Sequence, residues 1–213
     1  MTALRPLKDR LRNREFTAAQ ASAMLGLSGV QVNNLIDELA QLGIAHSKDR
    51  KRTIEYRGLF SLKLCRDLIR WDVGPALRLK VIQAALDAPR KKFVGIAGTS
   101  ISAMQVGNYR KEASDCIRQL QNAENAVSSK PEIMQGEPCI RGTRVPVYWI
   151  ADMIDADGLA EAKKTYPQLT EKQLRSAHLY ASANPRRGRP KAISWPVGRA
   201  IKGRSRTRTV TLD

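Results

Sequence analysis

Two signals for the start of a helix, eleven residues apart, constrain the N-terminal part of the chain most strongly. In the first, Gln20 stands three positions after Thr17. In the second, Gln31 stands three positions after Ser28. A hydroxyl residue and a glutamine at this spacing form a capping box, in which each side chain bonds the backbone N–H of the other residue. Gly26 lies between the two signals and is typical of a helix end. The pattern therefore predicts two short helices joined by a tight turn, as in a helix-turn-helix unit.

The second helix and the segment after it complete the outline of a winged helix-turn-helix unit over residues 16–57. Apolar residues recur at helical spacing after the second signal, at Val32, Leu35, Ile36, Leu39 and Leu42. Gly43 then predicts a left-handed end to the helix. Residues 48–52 predict a basic turn between two short strands, the second over residues 53–56. Residues 16–44 resemble the DNA-reading part of many bacterial regulators, which implies that the second helix reads bases. The basic wing would supply phosphate contacts, which set register and affinity rather than the choice of sequence.

Polar residues on the outward face of the second helix and basic residues of the wing are the candidate DNA contacts. They are Ser28, Gln31, Asn33, Asn34, Lys48, Arg50, Lys51 and Arg52. Asparagine and glutamine can hydrogen-bond adenine through its N6 and N7 atoms, whereas lysine and arginine bind phosphates. Gln31 has an alternative role in the capping box, so Asn33 and Asn34 are the better candidates for base reading. The basic residues of segment 1–15 either add phosphate contacts or form a solvated arm.

Charge divides the chain into three parts with different expected partners. The 213 residues contain 37 basic and 20 acidic side chains, a formal net charge of +17. Residues 1–127 contain 21 basic and 12 acidic side chains, residues 128–184 contain seven of each, and residues 185–213 contain nine and one. We expect polyanionic partners for the first and last parts, because phosphate binding needs an excess of Lys and Arg. The neutral segment between them suits contacts between proteins.

Residues 58–127 are informative about structure but not about function. Apolar periodicity predicts helices over residues 59–69, 76–86 and 113–123, with short strands over 93–96 and 101–106. Trp71 and Tyr109 are expected in the core or at its edge. The three cysteines, Cys65, Cys116 and Cys139, are widely separated, which argues against a disulfide framework or a zinc site. No pattern of a catalytic centre or a cofactor site is present, so we expect neither enzymatic activity nor a cofactor.

Three runs within residues 127–184 form the most specific motif of the sequence. They are PEIMQG at 131–136, PCIRGTRVPV at 138–147 and YPQLT at 166–170. This stretch resembles a small antitoxin family, catalogued mostly as a domain of unknown function, whose members are typically VapB-type antitoxins paired with a PIN-domain ribonuclease toxin. The resemblance implies a β-hairpin with three small helices, and self-association. Within the stretch we predict strands at 132–134 and 139–140, helices from Pro146 and Leu159, and a capping box at Thr170 and Gln173.

Several polar residues of this segment have a simpler interpretation than a functional one. Arg141 and Arg144 resemble an anion site, but we expect them to bond nearby carbonyl or carboxylate groups and fix a turn. His178 is expected to be a hydrogen-bonded residue at the edge of the core. The three aspartates Asp152, Asp155 and Asp157 lack the spacing of a calcium-binding loop.

The basic tail, residues 185–213, is the predicted toxin-binding segment. Its candidate contacts are Arg186, Arg187, Arg189, Trp195 and Arg199. A PIN toxin, as the resemblance implies, holds magnesium with clustered carboxylates, and an inserted arginine would pair with a carboxylate and compete with the metal. Two alternatives stay open. Residues 187–190 resemble the core of an AT-hook, which binds the DNA minor groove, or the tail is solvated and disordered.

The sequence predicts a mainly α fold with small β elements (α+β), organised in five segments. These are a basic arm (1–15), a winged helix-turn-helix unit (16–57), a helical and β middle region (58–127), an antitoxin-family domain used for dimerisation (128–184) and an extended toxin-binding tail (185–213). The predicted function is a cytoplasmic, non-enzymatic antitoxin that inhibits a PIN-domain ribonuclease, binds operator DNA and forms a homodimer within a larger complex with its toxin. No membrane segment is expected, since no run of 18 apolar residues occurs. The alternative is a stand-alone dimeric transcriptional regulator with an AT-hook-like tail.

Overall fold

The computed structural model describes residues 14–48 and 51–186, and helices dominate them. The helices are α1 (Ala18–Leu25), α2 (Gly29–Leu39), α3 (Leu59–Arg70), α4 (Pro75–Asp87), α5 (Gly107–Asn125), α6 (Val147–Asp157), α7 (Leu159–Thr165) and α8 (Glu171–Ala183). The strands are β1 (Glu15–Thr17), β2 (Ala45–Lys48), β3 (Lys51–Glu55), β4 (Phe93–Val94), β5 (Met104–Gln105), β6 (Val127–Ser128) and β7 (Cys139–Ile140). The predicted fold class, mainly α with small β elements, is confirmed.

Helices α1 and α2 begin at the two capping boxes predicted from the sequence. The Thr17 hydroxyl accepts the Gln20 backbone N–H at 3.2 Å. The Ser28 hydroxyl accepts the Gln31 backbone N–H, also at 3.2 Å. Each glutamine amide oxygen in turn accepts the N–H of its cap residue. Gly26 ends α1 in the left-handed region with φ 63°, so both predicted helix starts and the turn between them are confirmed.

A three-stranded antiparallel sheet with the order β1-β3-β2 packs beside these helices. In the central strand, Ile54 pairs with Phe16 on one side and with Ala45 on the other, and all three are buried. The predicted wing is therefore present as β2 and β3, although β3 begins at Lys51 rather than at residue 53. Strand β1 was not predicted, because three residues with a single buried member carry too little alternation to be recognised.

The middle region forms α3, α4, a β4–β5 hairpin and α5, so its predicted helices and strands are confirmed, although each strand contains two residues. Tyr109 is half-buried and donates a hydrogen bond to the Asp67 carboxylate at 2.9 Å. The prediction for Trp71 was wrong, because its side chain is 56% exposed. Trp71 follows the end of α3, where the chain turns at Asp72 with φ 56°, and this turn carries the indole away from the core.

One apolar core runs from the helix-turn-helix unit into the middle region. It contains buried side chains of α1 to α5, among them Ile36, Leu62, Cys65, Ile82 and Leu120. At its edge, Arg78 of α4 forms two hydrogen bonds with the Glu38 carboxylate of α2, at 2.9 and 3.1 Å. The two side chains are only 12% and 19% exposed. This ion pair therefore links α2 to the middle region at a position that is largely shielded from water.

In the C-terminal part, strands β6 and β7 pair antiparallel and precede α6, α7 and α8. The prediction of a strand at 132–134 was wrong. Residues 131–136 form turns in which Met134 and Gln135 have positive φ angles of 48° and 56°, which are incompatible with a strand. Residues 127–128 pair with β7 instead.

The three C-terminal helices follow the predicted starts. Helix α6 begins after Pro146 and α7 begins at Leu159. The Thr170 capping box opens α8, with the hydroxyl 3.2 Å from the Gln173 backbone nitrogen. A second apolar cluster holds these helices together, with Val127, Ile140, Val147, Ile150, Leu169 and Leu174 among its buried members.

Helix α8 joins the two halves of the molecule, because it packs against α1 and α5 as well as against α6. Its last residue, Ala183, is 2% exposed and belongs to the main core. Within the first half, Arg14 links the start of β1 to α5 through a two-bond ion pair with Glu124. In the part of the chain that the structure describes, no helix is both long and apolar enough to span a membrane.

Candidate functional site

The N-terminal end of α2, the helix predicted to read DNA, lies at the surface. Ser28 and Gln31, two of the predicted contacts, are both exposed, but their side chains are engaged in the capping box. Their first role is therefore to start α2. Gln31 keeps amide hydrogens that its capping bonds do not use, since the box takes only its oxygen and its backbone N–H.

Val30 is an exposed apolar side chain on α2 that the sequence analysis did not single out. Its side chain is 71% exposed in the first turn of α2, while Val32 two positions later is fully buried. Asn34 is exposed and Asn33 is half-buried. An amide beside an exposed branched apolar side chain matches the groups on an A·T pair, since adenine offers N6 and N7 and thymine offers a methyl group. The sequence could have indicated the exposure of Val30, because Val30 does not belong to the set of apolar residues at helical spacing that forms the buried face of α2.

The wing is linked to α2 by an ion pair between Arg52 and Asp37. Both Arg52 Nε and Arg52 Nη2 donate to the carboxylate of Asp37, each at 2.9 Å. These hydrogen bonds and the guanidinium charge lower the pKa of Asp37 below its ordinary value. Arg52 was predicted as a phosphate contact, and the structure places it in this pair instead of in open solvent. The bond fixes the angle between wing and helix.

The remaining wing residues are only partly described. Lys51 is exposed at the start of β3 and pairs with Lys48 of β2 across the sheet. The side chain of Lys48 and all of Arg50 lie outside the described residues. Arg57 follows the wing and donates to Glu55 at 2.6 Å. Of the basic arm, the structure describes Arg14, which is engaged with Glu124.

At the other end of the chain, the first tail arginine is docked on the C-terminal domain. The Arg186 guanidinium lies 4.4 Å from the centre of the Tyr148 ring and forms an ion pair with Glu137. The Tyr148 hydroxyl donates to the Asn184 carbonyl at 2.7 Å. Burial raises the pKa of Tyr148, which keeps this hydroxyl protonated as a donor. The other predicted toxin contacts, Arg187, Arg189, Trp195 and Arg199, lie outside the described residues.

The polar residues that were expected to be structural have the following partners. Arg141 is exposed, and its guanidinium reaches the Val127 carbonyl at the limiting distance of 3.5 Å. Arg144 is exposed and makes no side-chain bond with a described residue. His178 is half-buried, and its Nε2 lies 2.9 Å from the Asp155 carboxylate, which confirms the prediction of a hydrogen-bonded residue. Among residues 14–48 and 51–186, no three His, Cys, Asp or Glu side chains are grouped so as to hold a metal ion.

Comparison with known proteins finds a family match for one segment of the chain, which begins at β6. Residues 127–181 match the model of a family described as a protein of unknown function, DUF433. The matched segment runs from β6 into the last turn of α8. The uncharacterized protein y4eO of Sinorhizobium fredii (strain NBRC 101917 / NGR234) is 40% identical over 95 residues, an alignment that covers 44% of this chain and 43% of that protein. No solved structure matches the chain significantly.

Proposed function

We propose that this protein is a non-enzymatic, cytoplasmic antitoxin that inhibits a PIN-domain ribonuclease and represses its own operon. The observation that supports this most is the packing of the segment matched by the family model against a helix-turn-helix unit, through α8 and α1. A protein that binds a toxin and DNA at the same time needs a surface for each partner, and both surfaces must belong to one folded unit. The antitoxin role itself rests on the motif in residues 131–170, which resembles VapB-type antitoxins.

Operator reading is assigned to the exposed face of α2. Val30, Asn33 and Asn34 are the side chains of this face that need no other partner for folding. Each well-made base contact discriminates by about 1–3 kcal/mol, so replacement of both asparagines by alanine should weaken operator binding by roughly 10-fold or more. Binding to random duplex DNA should change little, since phosphate contacts carry no sequence information.

The test compares Asn33→Ala/Asn34→Ala with wild-type protein on the upstream DNA of the gene and on random DNA of equal length. Asn125→Ala is a matched control, because Asn125 is an exposed asparagine at the end of α5. A double variant that keeps full preference for the upstream DNA would remove α2 from the account.

Toxin inhibition is assigned to the tail beyond Arg186. Arg186 itself is held by Glu137 and Tyr148, so its insertion into a toxin site would first have to break an ion pair and a cation–π contact. Together these are worth about 1–2 kcal/mol at an exposed site. Arg187 and Arg189 are therefore better candidates to pair with the toxin's carboxylates.

The structure also specifies where a truncation should end. Ala183 is buried and the Asn184 carbonyl accepts from Tyr148, so removal of either would disturb folding. A chain ending at Arg186 should keep DNA binding but lose inhibition of the neighbouring gene product in a magnesium-dependent ribonuclease assay. Unchanged inhibition would exclude the tail mechanism. If no ribonuclease co-purifies while DNA binding is intact, the stand-alone regulator becomes the better account.

A further inference from the structure

The order of elements in the middle region repeats that of the helix-turn-helix unit. In the first unit, α1, a turn, α2 and the β2–β3 hairpin follow one another. In the middle region, α3, a turn, α4 and the β4–β5 hairpin follow in the same order. Both turns contain a residue in the left-handed region, Gly26 in the first and Asp72 in the second. Helices α3 and α4 pack against each other and share the core of the first unit.

The first unit alone is poorly supplied with cations for DNA. Residues 16–57 contain five basic and four acidic side chains, whereas residues 58–127 contain eleven and six. Within the first unit, Arg52 and Arg57 are already bonded to carboxylates. Duplex DNA is bound mainly by neutralising its phosphates. A DNA-binding role for α2 therefore requires phosphate contacts from another part of the chain.

Three adjacent basic residues, Arg90, Lys91 and Lys92, meet this requirement and are called here the basic loop. They lie between α4 and β4, at the base of the hairpin that follows α4 as the β2–β3 hairpin follows α2. All three are exposed, and none of them forms an ion pair with a residue that the structure describes. Phe93, which follows them, is 55% exposed.

The backbone of the basic loop is fixed by hydrogen bonds from α5 and the residue before it. The Lys92 carbonyl accepts from the N–H groups of Val106 and Gly107, at 2.8 and 3.0 Å. The Lys91 carbonyl accepts from the guanidinium of Arg110. Arg110 also donates to the carbonyls of Ala85 and Ala88 at the end of α4, at 2.6 and 3.1 Å.

Arg110 is thus a positioning residue, because its guanidinium donates hydrogen bonds to backbone carbonyls of the loop and of the end of α4. Because the loop is ordered before binding, its cations lose little conformational entropy when they meet a fixed array of charges.

We propose that the basic loop and the β4–β5 hairpin form a second wing, which binds backbone phosphates of double-stranded DNA. The proposal rests on the DNA-binding part of the proposed function and extends it to a second surface. Trp71 lines one cavity of about 330 Å³ with Gln105, the cross-strand partner of Phe93. Cross-strand partners project from the same face of a hairpin. Trp71 and the exposed Phe93 therefore lie on the same face of the hairpin, and Phe93 directly follows the basic loop in sequence.

The test uses the full chain and the triple variant Arg90→Ala/Lys91→Ala/Lys92→Ala. Binding to the upstream DNA of the gene and to random duplex DNA is measured over a range of salt concentrations. Each phosphate contact contributes about 0.9 to the slope of log affinity against log salt, so the triple variant should reduce the slope by about 2–3. Its preference for the upstream DNA over random DNA should be unchanged.

A charge-matched control is Lys130→Ala/Arg144→Ala/Lys172→Ala, three exposed residues outside the middle region without side-chain partners among the described residues. An unchanged slope in the triple variant, or an equal fall in the control, would overturn the second wing. Tighter binding of single-stranded RNA that depends on the same three residues would also overturn it.

The outcome separates the two proposals. If the triple variant keeps its slope while Asn33→Ala/Asn34→Ala loses operator preference, the second wing fails and the function of α2 stands. If the wild-type protein binds no duplex DNA, the DNA-binding part of the proposed function fails and the second wing fails with it.

Discussion

Replacement of Arg78 by methionine should destabilise the protein more than any other single change to a surface charge discussed above. The Arg78 guanidinium makes two hydrogen bonds with the Glu38 carboxylate and a third, at 2.7 Å, with the Val73 carbonyl. Hydrogen bonding to Glu38 raises the pKa of Arg78, so the guanidinium is charged across the physiological range. Methionine retains most of the apolar stem of arginine but leaves Glu38 without its partner.

The magnitude follows from the burial of the pair. Removal of one partner of a buried ion pair costs about 3–5 kcal/mol, because the other charge is left without compensation. The Glu38 side chain is 19% exposed, so water reaches it in part and the low end of that range applies. For a chain of this length, a loss of about 3 kcal/mol lowers Tm by roughly 6–12 °C.

Thermal and urea unfolding followed by circular dichroism measure this loss. Arg118→Met is the matched control, because Arg118 pairs with Asp115 at a surface position where its side chain is 70% exposed, and a change below about 0.5 kcal/mol is expected there. The double variant Arg78→Met/Glu38→Gln should recover part of the loss, since no charge is left unpaired. A loss below about 1 kcal/mol, or a double variant no more stable than Arg78→Met, would refute the reasoning.

Four further predictions concern single groups. At neutral pH a thiol-alkylating reagent should modify Cys116 before Cys65, because Cys65 is fully buried and burial raises its pKa to about 12; equal rates by mass spectrometry would contradict this. Stability should fall above pH 9, where the unfolded thiol of Cys65 ionises and the folded one does not, and Cys65→Ala should reduce that pH dependence. NMR titration should give Asp37 a pKa below 3.8, and this pKa should rise in Arg52→Gln. The stability that the pair contributes should be present above pH 3.8 and should be lost as the pH falls through the pKa of Asp37 in the folded protein. Gly95→Ala should destabilise the β4–β5 hairpin by at least about 1 kcal/mol in urea unfolding, because the added Cβ would lie 2.1 Å from a backbone oxygen; an unchanged midpoint would contradict it.

Helix starts were predictable because the groups that form them are close in sequence. Each capping box at Thr17, Ser28 and Thr170 joins residues three positions apart, so the local pattern contains both partners. The pairing of β6 with β7 was not predictable in the same way. Its strands are separated by turn residues, and the choice of 127–128 over 132–134 depends on where α5 ends.

At the candidate site, the sequence predicted which side chains are exposed or buried, but it did not predict which residues they would bind. The helical spacing of apolar residues in α2 correctly predicted that Asn34 is exposed and Val32 is buried. It did not reveal that Arg52 would bind Asp37, because the two residues lie on different elements and meet only after the wing folds back. Trp71 was misplaced for the opposite reason, since hydrophobicity predicts burial on average and gives no information about a turn that directs one ring outward.

The formal net charge includes cations that are already paired with carboxylates and are therefore less available to bind a phosphate. A phosphate contact by Arg52 would have to compete with the Asp37 carboxylate, and one by Arg14 would have to break two bonds to Glu124. Lys91 has no such competitor among the described residues, and its backbone is already fixed by Arg110. Binding therefore starts from a lower energetic cost at the basic loop than at Arg52 or Arg14. It follows that, among these groups, we expect the basic loop to contribute most to the electrostatic attraction to DNA, whereas the choice of sequence should depend on α2.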